Sequence, residues 1–207
     1  MKTMRMVTRV LTGAVLVAAT ASCGNVVRSS RAPVMLVVNS LTGTRGSATS
    51  GSASSNLISD VLTVVTTGGT CSTATPCPTI FGDTGTMSLS LAPKDIDIPL
   101  TSNNQVTINR VHVSYRRTDG RNQEGVDVPF SYDTAATVTV GTTGASSVGF
   151  IIVRNQAKSE SPLIQLVTNG QIISGIIDVT VYGTDLVGNA VSATGSIGVS
   201  FGNFGDQ

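Results

Sequence analysis

Two stretches close to the C-terminus carry the clearest pattern of apolar and polar positions in the chain. Ile177, Val179, Val181 and Gly183 alternate with Asp178, Thr180, Tyr182 and Thr184; further on, Val191, Ala193, Gly195, Ile197, Val199 and Phe201 alternate with Ser and Thr. A period of two gives each strand one apolar face and one hydroxyl-bearing face, so the pair predicts a long antiparallel hairpin lying on a core, with residues 185–189 as its turn. Met87, Leu89 and Leu91 alternate with Thr86, Ser88 and Ser90, which predicts another half-buried strand. Residues 106–116 change parity midway: Val106 and Ile108 share one, Val111, Val113 and Tyr115 the other. A strand keeps both sets on one face only by accommodating an extra residue, so a bulge or sharp bend is predicted at Asn109-Arg110. Arg110, His112, Ser114 and Arg116 then lie on the opposite, wetter face.

The remaining elements are less regular. Residues 33–39 form a continuous apolar run of strand length, and residues 57–67 read as strand because β-branched residues dominate. Between them, residues 42–56 are of low complexity, rich in Gly, Ser and Thr, and are expected to be a flexible insert. Residues 118–122 carry turn chemistry; residues 126–132 contain Pro129, which restricts them to an edge or an irregular crossing. Residues 136–140 and 148–153 predict strands around a turn, and residues 162–167 a further strand ended by the hairpin dipeptide Asn169-Gly170. The count of about eight to ten strands predicts an all-β fold, two antiparallel sheets packed face to face.

Composition narrows the function more than the fold. Charged residues make up 12% of the chain and the net charge is +1, so there is no electrostatic footprint for nucleic acid. With no Trp and 4% aromatics, platforms for stacking on a sugar or a base are few. Cys71 and Cys77 flank Ser-Thr-Ala-Thr-Pro, and in an oxidising compartment a local disulfide is the expected pairing, since a metal site would need two more soft ligands at short spacing.

Candidate chemistry is sparse. The single histidine, His112, lies between arginines on a polar strand face, and no nucleophile elbow accompanies it. Asp95 and Asp97 share one face of an extended segment, while Asp119, Glu124 and Asp127 gather around one loop and are the calcium candidates. Their spacing does not match an EF-hand, Arg121 sits among them, and capping and turn roles explain them equally. Arg110, Arg116, Arg117 and Arg121 form the densest basic cluster, expected to pair with neighbouring acids. Tyr115, Tyr132 and Tyr182 read as strand residues with a wet hydroxyl. No cofactor is expected, and the chain reads as a non-enzyme.

The address is written at the N-terminus. Lys2, Arg5 and Arg9 precede an apolar run from Val10 to Ala21, and small residues lead into Cys23, the pattern of an export signal. Thr20-Ala21-Ser22-Cys23-Gly24 resembles the lipobox of bacterial lipoproteins, with Thr20 where that family usually carries Leu or Val. The resemblance implies that Cys23 is lipidated on sulfur and becomes the mature N-terminus. A retained membrane helix is the first alternative, but the run falls short of the ~20 residues needed. A plain secretory signal cut near Ala21 is the second. Gly24 resembles lipoproteins sent to the outer membrane of Gram-negative bacteria; otherwise the cell membrane is implied. The segment Val179-Thr-Val-Tyr-Gly-Thr-Asp-Leu-Val-Gly-Asn189 is similar to the closing hairpin of bacterial immunoglobulin-like and fibronectin type III-like domains, which implies an immunoglobulin-like sandwich and no activity. Tyr115-Arg-Arg-Thr-Asp-Gly-Arg-Asn122 with Gly125-Val-Asp-Val-Pro129 is similar to uncharacterised envelope lipoproteins.

The expected organisation is a signal peptide at 1–22, a lipidated tether at 23–32 and a β domain at 33–207. Membrane attachment through Cys23, an envelope protein partner and a monomeric folded domain are the expected associations. A calcium- or glycan-binding module on the same scaffold is the alternative function. Residues 33–39 could instead donate a strand to another copy, folding back into their own sheet being the simpler expectation.

Overall fold

The computed structural model describes residues 31–47 and 51–205. Cys23, the leader, the tether up to residue 30 and residues 48–50 of the low-complexity segment lie outside the described residues. Strands account for 53% of the structure and helices for 9%, which makes the fold all-β. The strands are β1 (Val34–Thr44), β2 (Ala53–Ser54), β3 (Asn56–Asp60), β4 (Thr63–Val65), β5 (Cys77–Thr79), β6 (Asp83–Pro93), β7 (Val106–Arg117), β8 (Tyr132–Val140), β9 (Ser146–Val153), β10 (Ile173–Asp185) and β11 (Ala190–Gly202).

They form a four-stranded sheet in the order β2-β1-β6-β9, a five-stranded sheet in the order β3-β11-β10-β7-β8, and the small ribbon β4-β5. Met87, Leu89 and Phe150 of the first sheet and Val111, Ile177, Val179 and Val199 of the second belong to one buried cluster. Burying a side chain such as Leu89 or Ile177 contributes about 1.5–3 kcal/mol, and this shared interior is what holds the two sheets together.

The alternating hairpin is present as expected: β10 and β11 pair in unbroken register from Ile173 opposite Phe201 to Thr184 opposite Ala190. The parity change in β7 is a bulge. Its pairing with β8 skips a residue between Ile108 and Arg110, and its pairing with β10 shifts at the same level, between Tyr182 and Gly183. Ile108 and Val111 are therefore both buried while Asn109 and Arg110 are exposed. Gly183 faces the bulge, where a Cβ would come within 2.6 Å of the Thr107 carbonyl oxygen, so only glycine fits there.

Three expectations are corrected. Residues 162–167 are not a strand: a 3-10 turn, Leu163–Gln165, runs into a short helix, Leu166–Asn169. Leu163 and Leu166 are both buried, a three-residue spacing that a helical turn satisfies and an alternating strand does not. Gly170, read as a hairpin residue, ends that helix in the left-handed region at φ 62°. The arrangement is also not wholly antiparallel, because β3 runs parallel to β11, with Leu57 opposite Val199. Thirdly, both ends of the segment 42–56, expected to be flexible, contribute to the sheet: Gly43 and Thr44 in β1 pair with Ser54 and Ala53 of β2. β1 itself pairs along its length with β6 of the same chain, with an irregularity at Asn39.

The two sheets cross the core with β1 and β11 side by side and pointing the same way. A Cβ on Gly195 would meet Val38 at 3.2 Å, and one on Gly43 would meet Leu57, the partner of Val199, at 3.2 Å. The start of β1, the β6–β7 connection and the β10–β11 turn consequently share one end of the domain. The helical connection between β9 and β10 and the loop that follows β7 occupy the other.

Candidate functional site

On the open face of the five-stranded sheet, the basic residues are paired across strands, as expected. Arg110 on β7 reaches Asp133 on β8 at 3.2 Å and lies 3.9 Å over the ring of Tyr182 on β10. Arg116 bonds Asp178 on β10 at 2.6 Å, and Ser196 on β11 donates to the same carboxylate at 2.5 Å. Partial burial works against ionising Asp178, but the hydrogen bonds from Arg116 and Ser196 prevail and hold it below the usual carboxylate range.

His112 falls in the middle of this face. Register places it between Asp133 and Thr180, and its Nδ1 is 3.3 Å from Asp133 Oδ1. The hydroxyl of Thr180 shares a 2.8 Å hydrogen bond with Thr194. A carboxylate, an imidazole and a hydroxyl thus stand in one row, yet the hydroxyl is engaged away from the ring, so the row offers a proton acceptor and no activated nucleophile.

The loop after β7 folds around Asp119. Its carboxylate accepts from Arg117 at 2.5 and 3.0 Å and from Arg121 Nε at 3.3 Å, and the Arg117 bond above all lowers its pKa to about 2. Glu124 accepts from the Ser131 amide and Asp127 from the Gln123 amide. The three calcium candidates are therefore each occupied in pinning local backbone or arginines, and among the described residues no group of three or more His, Cys, Asp or Glu could hold a metal ion. Asp95 caps its own turn by accepting from the Asp97 amide at 3.1 Å. Cys71 and Cys77 are joined at 2.07 Å, with β5 starting at Cys77 beside Val65 of β4, so the link closes the loop at the base of that ribbon.

Sequence reasoning missed the most unusual chemistry in the fold. Lys158, on the short helix Asn155–Ser159, is completely buried, and its Nζ donates to Asp83 Oδ1 and to the Asp60 carbonyl, both at 2.8 Å. Asp83 also accepts from the Gly46 amide at 2.8 Å and from Ser59 Oγ at 2.5 Å. Beside it the buried Asp60 accepts from Arg45 at 2.5 Å, Thr63 at 3.2 Å and the Phe204 amide at 2.9 Å. Burial pushes Asp83 up and Lys158 down, each opposed by the attraction of the other. Two acids and two bases make a charge-balanced cluster, buried at Asp60, Asp83 and Lys158 and reaching the surface at Arg45, that ties the segment after β1, β3, β6 and the helical connection to Phe204.

The tyrosines divide. Tyr115, expected to be wet at its tip, is buried, and its hydroxyl donates to the Ile152 carbonyl at 2.8 Å, bridging the two sheets. Tyr132 donates to the Ile151 carbonyl, and burial raises its pKa to about 12 although Arg154 opposes the shift. Tyr182 alone stays on the open face, beneath Arg110.

No protein family, curated protein or solved structure matches this chain.

Proposed function

We propose that this chain is a lipid-anchored cell-envelope protein of structural or protein-interaction type, a non-enzyme whose β body is an immunoglobulin-like sandwich. The observation that carries the reading is Cys23, set directly behind an export-signal pattern and followed, ten residues later, by Pro33 at the mouth of β1. What supports a non-catalytic role is the use to which the reactive side chains are put. Asp119, Glu124, Asp127 and Asp133 are spent on arginines, His112 and backbone amides, and Lys158 on holding the interior together. The hairpin turn supports the immunoglobulin-like reading: Asp185 bonds both the backbone and the side chain of Asn189 at 2.7 Å, closing the Asp-Leu-Val-Gly-Asn motif on itself. In the envelope such a body acts by contact, displayed on its anchor, with a Ser/Thr-rich face offered to a partner.

Intact-mass and N-terminal peptide analysis of the membrane-extracted protein tests the proposal. Lipid-modified Cys23 as the first residue is expected; an unmodified Cys23, or cleavage elsewhere, overturns it.

A further inference from the structure

Among the large apolar side chains described, the four most exposed are Ile96 at 91%, Val187 at 74%, Leu186 at 61% and Ile98 at 60%. Ile96 and Ile98 belong to the β6–β7 connection, Leu186 and Val187 to the β10–β11 turn, and both connections lie at the end where the chain enters β1. We propose that this end docks on a neutral phospholipid bilayer, with these four side chains seated at its interface. The proposal rests on the lipid-anchor reading of Cys23.

Geometry favours a membrane over other occupants. From Cys23 to Arg31 the chain spans at most about 30 Å when fully extended, so a lipidated Cys23 holds this end near the bilayer. Both apolar loops are held in shape rather than left loose. Lys94 donates its amide to the Pro33 carbonyl at 2.9 Å, which fastens the β6–β7 connection to the root of the tether. The Ile98 amide donates to the Asp95 carbonyl at 3.3 Å, and Asp185 accepts from the Val187 and Asn189 amides. Pro33, Pro93, Pro99 and Leu100 line a shallow apolar cleft behind Ile98, continuing the greasy surface inward.

Charge selects the kind of surface. Arg31 and Lys94 at this end face Asp95 and Asp97, which flank Ile96, and Asp185 in the β10–β11 turn, so the end carries no surplus of positive charge. A basic patch would seek anionic lipid; an end with no surplus positive charge and protruding aliphatics favours a zwitterionic surface and shallow seating, the Asp95 and Asp97 carboxylates staying at headgroup level.

The chain contains no Trp, so Ile96→Trp provides a single fluorescent reporter in the full-length lipidated protein. The experiment reconstitutes it in phosphatidylcholine vesicles with and without brominated acyl chains. Ile172→Trp, at the opposite end and also exposed, is the control. In the Ile96→Trp protein, blue-shifted emission quenched at least twofold by brominated lipid is expected. The Ile172→Trp protein should show no quenching, and adding anionic lipid should change neither. Val187→Asp in the Ile96→Trp background should abolish the quenching. Lipidated Ile96→Trp protein whose indole is unquenched, or blue-shifted without quenching as against another protein, overturns docking and leaves the anchor standing. An unmodified Cys23 overturns both.

Discussion

Replacing Lys158 with Met keeps most of the buried stem and removes only the ammonium group. Lost with it are two hydrogen bonds of 2.8 Å, and Asp83 is left fully buried with Gly46 and Ser59 as its remaining donors. Breaking a buried ion pair from one side costs about 3–5 kcal/mol, because the other charge remains without compensation. Measured against a total stability of about 5–15 kcal/mol, that is a large fraction. The sign with pH follows from Asp83. Its pKa is already raised by burial and is held down in part by Lys158, so in the variant it rises further. Once protonated, the carboxyl is no longer an uncompensated charge, and the deficit relative to wild type should shrink as pH falls through that raised pKa. Urea denaturation at pH 7 and pH 5 reads both quantities. Lys158→Met with Asp83→Asn in the same chain should recover part of the loss, giving a favourable coupling energy. A deficit under about 1 kcal/mol at pH 7, or one that is equal at both pH values, would refute the argument that the buried ammonium supports the fold.

Two further outcomes follow from groups already described. Tyr132 holds its proton to about pH 12 in the folded protein and to about 10 when unfolded, so its contribution is complete below pH 10 and lost between 10 and 12; alkaline melts should fall across that window, less steeply for Tyr132→Phe, and a parallel fall in both would count against it. Asp185→Ala removes three hydrogen bonds of 2.7–3.0 Å from the β10–β11 turn and should lower stability by about 2 kcal/mol, read by chemical denaturation, with a change under about 0.5 kcal/mol contradicting the turn's role.

Periodic information survived the passage from sequence to structure well. The parity change around Asn109 located a bulge, and the alternation from Ile177 to Phe201 located a hairpin, because side-chain direction in a strand depends only on neighbours in sequence. Non-local information did not survive. Ala157-Lys158-Ser159-Glu160 reads as an ordinary solvated polar run, and nothing in it announces that Asp83 and Asp60, far away along the chain, will meet Lys158 in the interior. Tyr115 departs from its expected wet setting for the same reason, since the carbonyl that accepts its hydroxyl belongs to the facing sheet. The difference at residues 162–167 is of another kind. Leu163-Ile164-Gln165-Leu166-Val167 is apolar enough for either element, and only the burial of Leu163 and Leu166 together distinguishes them.

The parallel pairing of β3 with β11 has a consequence for biogenesis. β3 takes its place at the sheet edge only against the last strand of the chain, from Asn56 opposite Gly198 to Asp60 opposite Gly202. A polypeptide that emerges N-terminus first thus presents β3, and with it Asp60, long before their partner exists. The five-stranded sheet cannot close one segment at a time behind the emerging chain; its β3 edge is completed late, once β11 has emerged. Until then the emerging chain carries an unsealed strand edge, and Asp60 lacks the later partners Lys158 and Phe204. Any truncation that removes β11 also strands β3, at the far end of the sequence.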